Sequence, residues 1–302
     1  MKRLSAALAA LLMTVACSTL AEPPAAAEPE PHPSPEAGSS VLATEDTYDF
    51  EAPIPRHAPA LATELIETTK DLKRNIHTWV DTGMQPGPPA RPVQLRSIRH
   101  QRIYRQLLDH PRTFRRVLEL LPPKLQAFAR NTVLAGSRLR SIVTPLDDPP
   151  DWKIHKPAPT NELLRYYKKA GRRFNIPWQT LASLNFVESR FGRILGPSSA
   201  GAMGPMQFMP ATWAAYGNGG DIMDPHDSIM GAARYLSASG APARMADALF
   251  AYNRSQSYVR AIQIYAQQMT HHPSAFAMYY HWQVYVLTKD GDMQLSGPGK
   301  DV

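Results

Sequence analysis

Glu188 is the acidic residue whose position most favours chemistry. It is the only Asp or Glu between Glu162 and Asp221, and it follows an apolar stripe at helical spacing, with Phe186 two residues before it. A carboxyl group among apolar neighbours is partly desolvated, which disfavours its charged form and raises its pKa. Such an acid can protonate the leaving oxygen of a glycosidic bond near neutral pH. The structural alternative is a helix-end glutamate that pairs with Arg190 or Arg193.

The segment after Glu188 is rich in glycine and in neutral polar groups. Residues 192–213 contain four glycines, which let a backbone approach a ligand closely. Ser198, Ser199 and Gln207 supply donors and acceptors that suit sugar hydroxyl and N-acetyl groups. Further along, residues 248–253 place the Tyr252 phenol and the Asn253 amide side by side at the end of an apolar helix.

Three short motifs together resemble the SLT-type catalytic domain of lytic transglycosylases, which is related in fold to goose-type lysozyme. The motifs are Glu188-Ser189-Arg190-Phe191-Gly192, Gly204-Pro205-Met206-Gln207-Phe208-Met209-Pro210 and Ala251-Tyr252-Asn253. The resemblance runs from about Thr160 to Met269, roughly a third of the chain. Pro205 stands where the family usually has leucine, as in a subgroup of actinobacterial and membrane-bound forms. The loop from Glu188 to Ser198 is also slightly longer than in the commoner version.

The resemblance implies a mainly all-α, lysozyme-like catalytic domain that acts on peptidoglycan without a cofactor or a metal. Glu188 would protonate the oxygen between N-acetylmuramic acid and N-acetylglucosamine. Its carboxylate would then take the proton from the C6 hydroxyl, which closes on C1 and gives a 1,6-anhydro product. The residues that would line the cleft or orient the acid and the N-acetyl group are Ser198, Ser199, Met206, Gln207, Tyr252 and Asn253.

Residues 217–227 are the other polar segment that could bind an ion. Its acids are too sparse for a Ca²⁺ loop, and His226 has no partner at the spacing of metal ligands. We expect a turn there, followed by a helix whose N-cap is Asp227 or Ser228.

The N-terminus predicts export. A basic start and an apolar run from Leu4 to Val15, too short to span a bilayer, predict a signal peptide over residues 1–21. Cys17, the only cysteine, stands where a bacterial lipoprotein is acylated, which would anchor the protein to a membrane. Ordinary cleavage after Ala16 or Ala21 is the alternative. We therefore expect a location in the cell envelope.

Charge is distributed unevenly along the chain, whose net charge is +7. Residues 22–55 hold eight acids and no Lys or Arg, so 31 basic and 18 acidic residues remain from Arg56 onward. A body this basic is drawn to polyanions. For an exported protein, we expect these to be the cell wall or lipid headgroups and not nucleic acid.

The apolar patterning predicts four regions. Residues 1–21 are the signal peptide, and residues 22–59, rich in Pro, Ala and Glu, read as a disordered tether. Four apolar stripes predict a helical accessory region over residues 60–150, in which we identify no chemistry. The catalytic domain with a C-terminal extension would occupy residues 151–302, with helix starts near Thr160 and Pro177 and one short strand within residues 282–288.

Three other functions are compatible with parts of this pattern. A lysozyme-type muramidase on the same fold would give a hydrolysed product. A wall-binding lipoprotein with an inactive site would retain binding without cleavage. A basic nucleic-acid binder would require residence in the cytoplasm.

Overall fold

The computed structural model describes residues 48–87, 90–148, 150, 152–298 and 300. The predicted signal peptide, Cys17 and residues 22–47 of the predicted tether lie outside them.

The described residues form eleven α-helices and one β-hairpin, which confirms the mainly all-α prediction. In chain order the helices are α1 Ala58–Asp81, α2 Ala90–Asp109, α3 Pro111–Leu120, α4 Pro123–Arg140, α5 Thr160–Phe174, α6 Trp178–Ser189, α7 Pro210–Tyr216, α8 Pro225–Ala238, α9 Met245–Tyr252, α10 Gln256–His271 and α11 Ala275–Tyr280. The hairpin pairs β1 Tyr285–Thr288 with β2 Gly291–Gln294 in antiparallel register. Among the helices described, none is long and apolar enough to cross a membrane.

The N-terminal helices follow their apolar stripes. In α1 the apolar residues at helical spacing are all buried: Leu61, Leu65, Leu72, Ile76 and Trp79. They face α2 and α3, while α4 packs along α10. The segment between α1 and α2 is rich in glycine and proline, which are poor helix formers.

Residues 48–57, the described end of the predicted tether, are held against α2. Buried Arg99 donates from Nη2 to the Pro53 carbonyl at 3.2 Å, and Gln106 Nε2 donates to the Pro55 carbonyl at 2.7 Å. The prediction of a free tether therefore does not hold for these residues. The acceptors are backbone carbonyls, which every residue carries. Composition and charge therefore cannot predict these contacts.

The predicted accessory and catalytic regions share one hydrophobic core. Gln101 of α2, 1% exposed, donates from Nε2 to the Gln283 carbonyl at 2.9 Å and accepts from the Gln283 N–H at 2.7 Å. On α10, Gln268 donates to the Phe128 carbonyl of α4 at 3.0 Å. Buried polar groups are costly unless they are paired, so these bonds fix how the two regions pack.

Most predicted element boundaries in the catalytic region hold. Helix α5 begins at Thr160, and α6 begins directly after Pro177, as expected. Helix α8 differs from the prediction, because its N-cap is Asp224, whose Oδ1 accepts from the Asp227 N–H at 2.9 Å. The reason is Pro225, which fits the first helical position, so the cap is the residue directly before it, Asp224. The predicted strand is the first half of the hairpin.

Candidate active site

Glu188 lies at the end of α6, a helix buried on nearly every side. The chain turns sharply after it, because Arg190, Phe191 and Gly192 all adopt left-handed conformations, with φ values of 52°, 63° and 89°. Two of these three residues are not glycine, so the turn is strained. Strain of this kind clusters at functional sites, where the surrounding structure enforces it.

Among the described acids that have no cationic partner, Glu188 has the most strongly shifted pKa. Burial raises its pKa from 4.5 to about 7, and a hydrogen bond from Tyr258 opposes this increase only in part. The Tyr258 hydroxyl donates to Glu188 Oε1 from the first turn of α10. Tyr258 is fully buried, and burial also raises the pKa of its phenol, so it remains a donor. The acid is therefore oriented and close to half protonated at neutral pH.

Arg190 does not pair with Glu188, which removes the structural alternative for that arginine. Its Nη1 donates to the Phe186 carbonyl at 2.7 Å, and its guanidinium lies 4.5 Å from the centre of the Phe186 ring. Burial lowers the pKa of Arg190 to about 10, so it is still charged at neutral pH. Arg190 packs against Phe186 of α6, and Tyr258 is the residue that hydrogen-bonds the Glu188 carboxyl.

A buried polar network joins the first motif to the second. Ser189 Oγ donates to the Pro205 carbonyl at 2.6 Å, and Asn185 Nδ2 donates to the same oxygen at 2.7 Å. The Gly192 N–H donates to Ser189 Oγ at 2.8 Å, and the Tyr167 hydroxyl donates to Asn185 Oδ1. The loop that carries Met206 and Gln207 is thereby fixed to the end of α6.

Gly204 and Gln207 form a tight turn within that loop. Gly204 has φ +75°, and a Cβ on it would lie 2.0 Å from the Ile222 carbonyl oxygen, so no larger residue fits. Gln207 has φ 50°, and its Nε2 donates to the Gly204 carbonyl at 3.0 Å. This bond directs the half-buried Gln207 side chain back over the turn.

Tyr252 joins the third motif to the second. Its hydroxyl donates to the Met206 carbonyl at 2.6 Å. Burial raises the pKa of the phenol, and the nearby Glu188 charge raises it further. Met206 itself is fully buried. Its side chain therefore packs in the core, and its carbonyl is the group that faces Tyr252.

The other three predicted residues are Ser198, Ser199 and Asn253. Ser198 Oγ accepts from the Ala202 N–H at 3.0 Å within its own turn, and Ser199 is exposed. Asn253 follows the end of α9 and is 6% exposed. The structure thus brings Glu188, Met206 and Tyr252 together through a hydrogen bond and charge, and Gln207 follows Met206 in the same loop. For the two serines and Asn253, a part in substrate binding stays a prediction.

Sequence reasoning missed Tyr258, although it is the residue that hydrogen-bonds the candidate acid. No local motif marks it. The one available signal is Ser255, an N-cap whose Oγ accepts from the Tyr258 N–H at 3.3 Å, three residues after Tyr252. That signal predicts a helix start close to the third motif but not the contact with Glu188.

The expectation that His226 has no partner at the spacing of metal ligands needs correction. Asp224, His226 and Asp227 bring potential metal-ligand atoms within 4.8 Å of one another. Helix capping accounts for this group, because Asp224 caps α8 and His226 Nδ1 lies 3.0 Å from Asp227 Oδ1. The Lys169 ammonium, 3.0 Å from His226 Nε2, adds a positive charge that opposes a cation there.

Comparison with known proteins gives one family and one curated relative. Residues 165–271 match the family model described as Transglycosylase SLT domain. The Membrane-bound lytic murein transglycosylase F of Thiobacillus denitrificans is 30% identical over 130 residues, which is 40% of this chain and 27% of that relative. The chain therefore spans about a quarter of the length of the curated relative it matches. No solved structure matches the chain significantly.

Proposed function

We propose, from the premise that residues 165–271 are a transglycosylase SLT domain, that the protein is a lytic transglycosylase of peptidoglycan. The substrate would be the β-1,4 bond between N-acetylmuramic acid and N-acetylglucosamine. The observation that carries the proposal is the half-buried Glu188 carboxyl, whose pKa burial raises to about 7. At neutral pH such a group is available both as an acid and as a base.

The reaction needs one carboxyl in two steps. Protonated Glu188 gives its proton to the glycosidic oxygen as the bond between that oxygen and C1 of the muramoyl sugar breaks. The resulting carboxylate then accepts the proton of the C6 hydroxyl while O6 bonds to C1. Glu188 ends as it began, and the product is a 1,6-anhydro sugar with no water incorporated.

The two tyrosines serve this cycle in different ways. Tyr258 donates to Glu188 Oε1, which orients the carboxyl and moderates its raised pKa. Tyr252 holds the Met206 carbonyl, and with it the loop that carries Gln207. We assign Ser198, Ser199, Gln207 and Asn253 to sugar binding, on their side-chain chemistry and on the family resemblance.

A muramidase that incorporates water is the alternative on the same fold. An inverting hydrolase needs a second carboxylate to activate water, and a retaining one needs it as a nucleophile about 5 Å away. Among the described residues, no second carboxylate contributes to the Glu188 pKa, whose causes are burial and Tyr258. This pattern favours the intramolecular reaction of the C6 hydroxyl.

The products of wall digestion test the proposal. Purified peptidoglycan is digested with the wild type, with Glu188→Gln and with Glu162→Gln, and the soluble muropeptides are weighed by mass spectrometry. Glu162 is a matched control, because it also accepts a hydrogen bond from a tyrosine hydroxyl, that of Tyr166 at 3.2 Å. We expect anhydro products from the wild type and the control, and a rate at least about 100-fold lower for Glu188→Gln.

Three results would contradict the proposal. Products heavier by about 18 Da, the mass of the incorporated water, would identify a hydrolase. Undiminished lysis by Glu188→Gln would assign the chemistry to another group, and a wild type that binds the wall without cleaving it would identify a binding protein.

We also propose that the protein is exported to the cell envelope and anchored there through acylated Cys17. The basis is the position of the cysteine at the end of the apolar N-terminal run. Radiolabelled palmitate supplied to expressing cells should label the wild type but not Cys17→Ser. A soluble, unlabelled wild type that begins after Ala21 would show ordinary signal cleavage instead.

A further inference from the structure

A second candidate binding site lies at the junction of the N-terminal helices with the end of α10. A cavity of about 430 Å³ opens there, between α1, α4 and the segment that leads into α11. Its volume is within the range of small-molecule sites. Tyr258 and His271 stand at opposite ends of α10, so the cavity is about 20 Å along the helix axis from the contact with Glu188. It is therefore separate from the candidate active site.

The floor of the cavity is apolar. Phe128 of α4 is 6% exposed and Met278 of α11 is 1% exposed, and both line it. The His272 ring stands edge-on to Phe128, with ring centres 5.0 Å apart. Half-buried Leu125 extends the same surface. An apolar group bound here would be removed from water on several sides.

The rim is cationic. Lys73 of α1 and Lys124 of α4 are exposed and line the opening, together with exposed His271. Within the described parts of the chain, neither lysine forms an ion pair. Burial lowers the pKa of the His272 imidazole, and the charge of nearby Lys73 lowers it further. Two positive charges that form no ion pair can attract an anion.

Thr69 adds an unsatisfied polar group to the wall of the cavity. It is 5% exposed, and its Oγ1 has no hydrogen-bond partner among the described residues. The buried Thr132 differs, because its hydroxyl donates to the Phe128 carbonyl at 2.9 Å. Thr69 and Lys73 are four residues apart on α1 and so lie on the same face. A ligand oxygen placed between them would receive a hydrogen bond from each.

We propose that this cavity binds an amphiphilic anion, a carboxylate carried on a short apolar chain. The chain would lie on Phe128 and Met278, and the carboxylate would lie between the Lys73 and Lys124 ammonium groups, within reach of the Thr69 hydroxyl. Neither part of the ligand suffices alone, because the floor offers no charge and the rim offers little apolar surface. The site does not depend on the activity of Glu188.

Isothermal titration of the mature chain with octanoate, below its micellar concentration, tests the proposal. Octyl glucoside supplies the same tail without charge, and acetate supplies the carboxylate without the tail. We expect saturable one-to-one binding of octanoate, with both controls at least about tenfold weaker. Lys73→Gln and Thr69→Val should each weaken octanoate binding about tenfold, since each removes a hydrogen bond to a charged group.

Two controls make the outcome decisive. Lys168→Gln, at a separate cavity near Pro177, should bind octanoate as the wild type does. Thr69→Val should unfold at the same temperature as the wild type or higher, because the hydroxyl it loses has no partner to leave unpaired. Absence of saturable octanoate binding, equal binding of octyl glucoside, or undiminished binding by both Lys73→Gln and Thr69→Val would overturn the proposal.

Discussion

Replacement of Glu188 by glutamine should stabilise the fold at alkaline pH. In the folded protein the carboxyl has a pKa of about 7, above its ordinary value of 4.5. The folded state therefore binds this proton more tightly than the unfolded chain does. As the pH rises between these two values, the wild type loses stability, and the loss is complete once the folded carboxyl is ionised. Glutamine stays neutral and escapes the loss.

The size of the effect follows from the two pKa values. One pKa unit corresponds to about 1.4 kcal/mol, so the full difference is about 3 kcal/mol in the free energy of unfolding. At pH 5 the unfolded carboxyl is already largely ionised, and part of the loss has occurred. Between pH 5 and pH 8.5 the stability of Glu188→Gln relative to the wild type should therefore grow by about 2 to 3 kcal/mol.

Urea unfolding of both proteins at the two pH values measures this difference. Glu67→Gln, which removes an exposed carboxylate from α1, provides the control for the loss of one charge from the surface. A stability difference between Glu188→Gln and the wild type that is the same at both pH values would refute the reasoning. So would a difference that grows as the pH falls, because it would mean that the folded state favours the carboxylate.

Three further predictions concern the groups around the acid. Tyr258→Phe removes the bond that lowers the Glu188 pKa, so the alkaline limb of the activity profile should move up by about one pH unit; an unmoved limb would contradict this. Ser189→Ala removes a buried donor to the Pro205 carbonyl and should lower the free energy of unfolding by about 2 kcal/mol in urea titration, whereas a change under about 0.5 kcal/mol would count against the network. Gly204→Ala introduces a Cβ 2.0 Å from a carbonyl oxygen and should cost more than about 2 kcal/mol in thermal unfolding; an unchanged midpoint would disprove the tight turn.

Local patterns in the sequence predict much of the helical framework. Apolar residues at steps of three and four identify the buried face of α1, and Pro177 marks the start of α6. Both signals work because helix geometry relates residues that are close in sequence. The predicted N-cap of α8, Asp227 or Ser228, is wrong because Asp224 is an equally good cap and Pro225 directly after it fits the first helical position.

The environment of the candidate acid could be predicted in part. Phe186 and the apolar stripe before Glu188 indicate desolvation, and burial is indeed the main cause of its raised pKa. The contact with Tyr258 joins residues 70 positions apart and has no local signature. The burial of Met206 also depends on tertiary structure, because the turn at Gly204 determines which side of the loop faces the core.

Long-range polar contacts account for the remaining differences. The paired bonds between Gln101 and Gln283 unite regions that the sequence presents as separate. Arg99 fixes residues 52 and 53 in the same way. In each case a side chain finds a backbone partner, and every residue offers such a partner regardless of its type.

Direct titration of the Glu188 carboxyl is the most decisive test. The protein is labelled with ¹³C at the glutamate carboxyl carbons, and the Glu188 resonance is identified by its absence from Glu188→Gln. Its chemical shift is then followed from pH 3 to pH 9. We predict a midpoint near pH 7, far above the ordinary value of 4.5. A midpoint between pH 4 and pH 5 would mean a solvated, fully ionised carboxylate at neutral pH, which could not serve as the acid.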